Sequence, residues 1–228
     1  WVYILSSKNC FLNDQMKSKD GQQTNNEASA VTKTGTLLDE TYWNSQYNAN
    51  TTGWDLGEVS PPLKAYIDQL TNKNLCILIP GCGNTYEAAY LLQQGFTNVT
   101  VLDIAPALVA QLKEKFKGNP HIKIILGDFF EHEGAYDLVL EQTFFCALNP
   151  GLRKDYVAKM HALLSPNGKL AGVLFNREFE QQGPPFGGSK DQYVPMFEKD
   201  FVFKTFEPCT NSFIKRKDTE LFIILIKK

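Results

Sequence analysis

The segment at residues 75–104 constrains the fold of this chain more than any other. An apolar run at residues 75–79 leads into a Pro-Gly-Cys-Gly turn at residues 80–83, a helical pattern follows at residues 85–94, and a second apolar run ends on Asp103. A strand, a tight turn, a helix and a second strand in this order form a βαβ unit.

The glycine turn and the acid after the second strand predict an adenosine-containing cofactor. Gly81 and Gly83 allow a sharp turn and let backbone N–H groups approach a ligand closely. Asp103 stands about 20 residues further on, where a carboxylate can accept both hydroxyls of a ribose. A dinucleotide-binding turn requires a third glycine, and Tyr86 occupies that place. The turn therefore favours S-adenosylmethionine over NAD or FAD.

Length and composition are those of one ordinary globular domain. The chain has 228 residues, of which 43% are apolar and 21% charged, and its net charge is -2. No basic face for nucleic acid is expected, and the basic run at residues 215–217 is interpreted as a solvated turn. No apolar run approaches the ~18 residues of a membrane span, and the apolar start at residues 1–5 is too short for a signal peptide.

The cysteines and histidines predict neither a disulfide framework nor a metal site. The five cysteines are scattered, odd in number and without a C-x-x-C pair, which favours free thiols in a reducing compartment and hence a cytoplasmic location. The three histidines share no ligand spacing.

Residues 1–36 and 37–228 are predicted to behave differently. Residues 1–36 are polar and are expected to form a disordered arm; residues 1–15 precede the first methionine, Met16, and need not be native. The folded domain is predicted at residues 37–228. Its first part, residues 39–57, carries Tyr42, Trp43, Tyr47 and Trp54 without a regular period. These aromatics either close the core or cover a ligand, and the pattern alone leaves both open.

Strands and helices then alternate through five cycles, which predicts a parallel sheet with helices on both faces. Two final strands without an intervening helix predict an antiparallel hairpin at the sheet edge. Ligands of such sheets bind beyond the carboxyl ends of the strands. Gly81, Asp103, Asp128 and Glu141 all fall at those ends, and a long loop at residues 176–188 follows the fifth strand.

Several segments resemble the thiopurine methyltransferase-like family, in the branch that includes plant and fungal thiol and halide methyltransferases. The block at residues 143–150 and the Gly-Pro-Pro-Phe loop at residues 183–186 are the most specific. The segments occur in the family's order: Trp54-Asp55-Leu56-Gly57, Ile79-Pro80-Gly81-Cys82-Gly83, Leu102-Asp103-Ile104, Gly127-Asp128-Phe129-Phe130, residues 141–150, Arg153-Lys154-Asp155-Tyr156 and residues 183–186.

This resemblance implies the Rossmann-like, seven-stranded α/β fold of class I methyltransferases, with S-adenosylmethionine as cofactor. It implies cofactor contacts for two lid tryptophans, the glycine turn and the three strand ends that follow: Trp43, Trp54, Gly81, Gly83, Asp103, Ile104, Asp128, Phe129, Glu141 and Gln142. Asp103 would face the ribose, Asp128 and Phe129 the adenine, and Glu141 and Gln142 the methionine part or the methyl group. Glu141 is the catalytic candidate, although the family often has Asp there.

The implied reaction is in-line methyl transfer to a small soft nucleophile: a thiol, hydrosulfide, thiocyanate or halide. Thiols ionise readily and halides carry no proton, so no general base is required. Tyr42, Tyr47 and Arg177 are the candidates for substrate contacts. Two alternatives remain at this point: a nucleotide-dependent oxidoreductase on the same βαβ unit, and a non-catalytic cofactor-binding module. A monomer is expected.

Overall fold

The computed structural model describes residues 37–181 and 183–228. One seven-stranded sheet has the order β3-β2-β1-β4-β5-β7-β6, and only β7 runs antiparallel to its neighbours. This confirms the predicted fold class. The strands are β1 Ile77–Pro80, β2 Val99–Asp103, β3 Ile122–Leu126, β4 Tyr136–Gln142, β5 Leu164–Phe175, β6 Phe201–Pro208 and β7 Glu220–Lys227.

Helices cover both faces of this sheet, and most begin at a residue suited to a helix start. Proline occupies the first turn of two of them, where its missing N–H costs nothing, and Ser189 caps another with a reciprocal Ser–Gln capping box. The helices are α1 Glu40–Asn48, α2 Pro61–Ile67, α3 Tyr86–Gln93, α4 Pro106–Lys115, α5 Arg153–Leu163 and α6 Lys190–Phe197.

The core consists of two apolar layers separated by the sheet. Side chains along β1 alternate between them, since Ile77 and Ile79 pack with residues of α2, α3 and α4, whereas Leu78 packs with residues of α5 and α6. Burial on both faces explains why β1 is a continuous apolar run rather than an alternating one. The helices therefore leave the carboxyl ends of the strands free to form a site.

The segment at residues 39–57 is more regular than its sequence suggested. It contains α1, in which the Asp39 carboxylate caps the start by accepting from the Tyr42 N–H at 2.9 Å. The i,i+4 spacing of Trp43 and Tyr47 places both rings on the side packed against the α2–α4 layer. That spacing, together with an N-cap acid, was the signal for a helix.

Two further expectations concern the cysteines and residues 1–36. Cys82, Cys146 and Cys209 are free thiols, but Cys76 is disulfide-bonded, so the prediction of free thiols throughout was wrong. The predicted disordered arm at residues 1–36 lies outside the described residues. Within them, no helix is long and apolar enough to cross a membrane.

Candidate active site

A cavity of about 760 Å³ opens at the carboxyl ends of the parallel strands, within the usual size range of ligand pockets. Its lining includes nine of the ten residues predicted to contact a cofactor: Trp43, Trp54, Gly81, Gly83, Asp103, Ile104, Asp128, Phe129 and Gln142. The tenth, Glu141, is not part of the lining. Tyr42 and Tyr47 also line the cavity.

The glycine turn and the end of β2 form one hydrogen-bonded unit. One Asp103 carboxylate oxygen accepts from the Gly83 N–H at 3.1 Å and the other from the Ala105 N–H at 3.0 Å. Burial raises the pKa of Asp103 although these N–H groups oppose the shift. Gly81 and Gly83 have φ values of +53° and +51°, in the left-handed region that favours glycine.

Two tryptophans at the N-terminal side of the cavity pack edge to face. The ring centroids of Trp43 and Trp54 lie 5.6 Å apart, and Tyr47 packs on Trp54 at 5.9 Å. The Asp55 carboxylate accepts from the Asn84 side chain and, at 3.2 Å, from the Tyr86 hydroxyl, so it joins this aromatic cover to the loop after β1. Residues 39–57 are called the lid below.

Tyr47, a lid residue that lines the cavity, is a neutral phenol. Burial, followed by the nearby Asp103 carboxylate, raises its pKa far above the ordinary value, so it is not a proton acceptor near neutral pH. Arg177, in contrast, is outside the cavity lining; its guanidinium is exposed and lies 4.8 Å from the centre of the Phe179 ring. The structure therefore brings two of the three predicted substrate-side groups to the cavity.

Glu141 differs from the other nine predicted cofactor contacts because it lies outside the cavity lining. Its side chain is fully buried behind the cavity wall, where it accepts from the N–H groups of Phe144 and Phe145 and from the Tyr156 hydroxyl. These contacts give both carboxylate oxygens donors from within the protein. Burial raises its pKa to about 7, against the opposing effect of its three donors.

Arg216 is a cavity residue that the sequence analysis missed. The run at residues 215–217 was interpreted as a solvated turn, and this is wrong for Arg216, which is only 9% exposed. Its guanidinium donates to the Trp54 carbonyl at 2.7 Å and pairs with Glu220 at 3.5 Å. The i,i+4 spacing of Arg216 and Glu220 was the available signal, but it does not reveal a lid contact made 162 residues away in the chain.

The proline loop at residues 183–188 forms another wall. The Phe186 N–H donates to the Cys146 carbonyl at 2.7 Å, and the Arg153 guanidinium donates to the Gly187 carbonyl at 2.9 Å. Pro184 and Pro185 thereby reach the cavity. The sequence predicted a functional loop here, but not the buried arginine that holds it.

Two of the free thiols, Cys82 and Cys146, also line the cavity. Burial raises the pKa of both, that of Cys146 to about 12, so they are neutral wall groups and not nucleophiles. No group of His, Cys, Asp and Glu side chains within the described part of the chain is arranged to hold a metal ion.

The family model for thiopurine S-methyltransferase matches residues 38–221, most of the described chain. The chain belongs to the thiopurine S-methyltransferase family. It is therefore an S-adenosylmethionine-dependent methyltransferase, as the resemblance implied, and the oxidoreductase alternative is excluded.

Two similar proteins from one plant are named as methyltransferases of sulfur compounds. The chain is 33% identical over 156 residues to the probable thiol methyltransferase 2 of Arabidopsis thaliana, covering 66% of this chain and 69% of the relative. It is 26% identical over 155 residues to thiocyanate methyltransferase 1 of the same plant, covering 65% and 67%.

The fold is also similar to that of a solved methyltransferase. Burkholderia thailandensis 1,6-didemethyltoxoflavin-N1-methyltransferase, solved with bound 1,6-didemethyltoxoflavin and S-adenosylhomocysteine, superposes with a TM-score of 0.66 at 19% identity. The match covers 83% of this chain and 87% of that one.

The cavity of this thiopurine S-methyltransferase family member fits its methyl donor. Among the described residues, Thr85 and Gln142 line the cavity, and their side-chain oxygens Oγ1 and Oε1 are buried without a hydrogen-bond partner. Buried polar atoms are rarely left unpaired, and both can accept from the ammonium group of an amino acid. Acidic side chains also outnumber basic ones in the lining, which suits a cationic sulfonium.

Proposed function

We propose that this methyltransferase transfers a methyl group to a small soft nucleophile: a thiol, hydrosulfide, thiocyanate or halide. The observation that carries the proposal is the unequal chemistry of the two halves of the cavity. The names of the thiol and thiocyanate methyltransferases among its relatives support the same substrate class.

The strand order divides the cavity at the boundary between β1 and β4, where the direction of strand addition reverses. The ends of β1, β2 and β3 contribute the glycine turn, Asp103 and Asp128 to one half. The ends of β4 and β5 and the turn before β7 contribute mainly apolar groups and one cation to the other: Phe144, Cys146, Leu148, Leu152, Phe175, Pro184, Pro185 and Arg216.

The first half is assigned to the donor. When bound, S-adenosylmethionine supplies a methyl group on a positively charged sulfur. Asp103 would accept from the ribose hydroxyls and Phe129 would contact the adenine, with Asp128 and Ile104 beside them. Gly81 and Gly83 would lie against the amino-acid portion. The unpaired oxygens of Thr85, after β1, and of Gln142, at the boundary between the two halves, would accept from its ammonium group.

The second half is assigned to the acceptor. Among the described residues that line the cavity, Arg216 is the only lysine or arginine; its guanidinium pairs with Glu220 and lies 5.3 Å from the centre of the Phe175 ring. A guanidinium attracts an anionic acceptor, and apolar walls remove the water that would otherwise stabilise the separated ions. A polarisable anion such as a thiolate, thiocyanate or iodide loses less hydration free energy on leaving water than a small hard anion does. Tyr42 and Tyr47 are further candidates for acceptor contacts.

The lid and the proline loop supply orientation and exclude water. Trp43 and Trp54 present aromatic faces, which attract a sulfonium group, and cover the cavity together with Pro184 and Pro185. Holding donor and acceptor in line can lower the activation free energy by on the order of 7–11 kcal/mol. Because a soft anion arrives ready to react, the side chains need only position it, and no proton-accepting residue is assigned.

The test is methyl transfer from labelled S-adenosylmethionine to hydrosulfide, thiophenol, thiocyanate, iodide and a thiopurine. Phenol and aniline serve as matched acceptors with oxygen or nitrogen in place of sulfur. Transfer to the soft acceptors, reduced by Trp54→Ala, is expected. Transfer to phenol or aniline with none to any soft acceptor would overturn the proposed substrate class.

We also propose that the enzyme acts as a monomer. The large apolar side chains that are exposed in the described residues are Leu37, Leu126, Val202 and Ile214, which lie on separate elements and form no single face. Light scattering after size exclusion is expected to give the mass of one chain, and the mass of two would reject this assignment.

A further inference from the structure

The backbone turn at residues 143–146 connects three parts of the site. It follows β4 directly, and its Cys146 carbonyl accepts from the Phe186 N–H of the proline loop. Its Phe144 ring lies against Gly81 so closely that a Cβ atom added to the glycine would overlap the ring. The position of this turn thus fixes the boundary between the two halves of the cavity.

The local hydrogen bonds of the turn leave the N–H groups of Phe144 and Phe145 to a partner outside it. The Thr143 hydroxyl donates to the Gln142 carbonyl at 2.7 Å, and the N–H groups of Ala147 and Leu148 donate to the Phe144 carbonyl at 3.0 and 3.3 Å. Thr143 has a φ of +61°, a conformation that costs free energy for a residue other than glycine. The Cys146 thiol donates to the Thr143 carbonyl at 3.2 Å, but a thiol is a weak donor. A conformation of this kind persists only when its surroundings determine it.

Glu141 supplies the missing constraint. Its Oε1 accepts from the Phe144 N–H at 2.8 Å and from the Phe145 N–H at 3.0 Å, while its Oε2 accepts from the Tyr156 hydroxyl at 2.5 Å. Tyr156 is itself fully buried on α5. The carboxylate therefore joins the turn to a helix that packs on the sheet.

The neighbouring strand leaves space for this arrangement. Gly172 on β5 pairs with Glu141, and a Cβ atom added to Gly172 would overlap the Glu141 backbone and Cβ. A side chain there would displace Glu141 and with it the contacts to the turn and to Tyr156.

We propose that Glu141 is a positioning residue, whose carboxylate fixes the turn at residues 143–146 and thereby places the Phe144 ring and the Gln142 side chain at the methyl-transfer position. This rests on the proposed division of the cavity into donor and acceptor halves. In this proposal, Glu141 acts through the geometry of its hydrogen bonds. The competing role for a buried acid at this place is electrostatic attraction of the sulfonium by its negative charge.

Four variants separate these roles. Glu141→Gln keeps a carbonyl oxygen for the two N–H groups and an amide that can donate to the Tyr156 oxygen, but it has no charge. Glu141→Ala removes both contacts, and Tyr156→Phe removes one of them. Tyr136→Phe is the matched control, because its hydroxyl is also buried on the sheet but contacts His132, away from the cavity.

The primary measurement is amide hydrogen exchange of the peptide that contains residues 143–146, which needs no acceptor. We expect faster exchange in Glu141→Ala and Tyr156→Phe and protection close to that of the wild type in Glu141→Gln and Tyr136→Phe. Unchanged exchange in both Glu141→Ala and Tyr156→Phe would overturn the proposal. If Glu141→Ala does not fold, Tyr156→Phe decides alone.

The second measurement compares dissociation constants for S-adenosylmethionine and S-adenosylhomocysteine, which differ in the charge on sulfur. Glu141→Gln is expected to preserve the ratio of the two, whereas a selective loss of S-adenosylmethionine affinity would establish the electrostatic role instead. With any acceptor that the wild type methylates, Tyr156→Phe should lower kcat about tenfold with little change in the donor KM, as for one lost hydrogen bond to a charged group. A failed acceptor panel would leave the exchange and affinity results intact, so the two proposals fail separately.

Discussion

The guanidinium of Arg216 donates to the backbone carbonyl of Trp54 at 2.7 Å, which joins the turn before β7 to the lid over the cavity. The Arg216 guanidinium also forms an ion pair with the Glu220 carboxylate at 3.5 Å, and both side chains are nearly buried. A buried arginine with one carboxylate partner retains donors for other acceptors, and here the lid supplies one. Opening of the lid would leave this buried charge with fewer partners.

Arg216→Ala is therefore expected to weaken donor binding through the lid. Loss of a hydrogen bond from a charged donor should raise the dissociation constant of S-adenosylhomocysteine about tenfold by calorimetry. Lys215→Ala and Lys217→Ala remove exposed charges from the same turn and are the matched controls. Equal affinity in Arg216→Ala and the controls would show that the lid closes without this contact.

Asp103→Ala is expected to weaken S-adenosylhomocysteine binding by ~1.5–3 kcal/mol, because the proposed hydrogen bonds to the ribose and the hydrogen bond from the Gly83 N–H are lost together. Asp103→Asn keeps one acceptor oxygen and should lose less affinity for S-adenosylhomocysteine than Asp103→Ala. The control is Asp137→Ala, which removes a carboxylate that accepts from the Cys76 N–H at 3.0 Å outside the cavity. Unchanged affinity in Asp103→Ala would remove Asp103 from the donor site.

Much of the sheet was predictable because each element carries its own signal. The apolar run at residues 75–79 became β1 Ile77–Pro80, and the run that ends on Asp103 became β2, which ends on the same residue. The glycine turn and Asp103 were predictable as neighbours, since parallel strands bring their carboxyl ends to one edge.

Side-chain direction was less predictable than position. Glu141 and Gln142 are adjacent at the end of β4, yet only Gln142 lines the cavity, because successive side chains of a strand point to opposite faces. Arg216 was missed for a different reason. Its lid contact depends on the tertiary packing of residues distant in the chain, which local charge patterning does not report.

Glu141→Gln is expected to stabilise the protein at alkaline pH. Burial raises the pKa of Glu141 from an ordinary 4.5 to about 7, so between these values the folded state holds a proton that the unfolded chain has released. The contribution of Glu141 to stability therefore falls as pH rises through this window and is constant above it. At pH 8 the neutral glutamine should be more stable by up to about 3 kcal/mol, and near pH 4 the difference should vanish.

Thermal unfolding of the wild type and Glu141→Gln at pH 5, 6, 7 and 8 measures this difference directly. Other buried acids titrate in both proteins, so subtraction of the two curves isolates Glu141. A difference that is constant across the range would contradict a raised pKa, and a variant that is less stable at every pH would indicate that the charge itself strengthens the fold.

Gly81→Ala tests the close contact on which the boundary of the two cavity halves depends. The added methyl group would meet the Phe144 ring as well as the cost of a positive φ, whereas Gly95 has a φ of +85° with nothing within 4 Å of an added Cβ. Gly95→Ala is therefore the matched control, which carries the backbone cost of about 1–2 kcal/mol alone. We expect Gly81→Ala to lose more stability than Gly95→Ala and to bind S-adenosylhomocysteine at least about tenfold more weakly, because Phe144 must move into the cavity or away from its turn. Equal stability and equal binding in the two variants would mean that the Phe144 ring yields freely, and that the turn at residues 143–146 does not fix the geometry of the site.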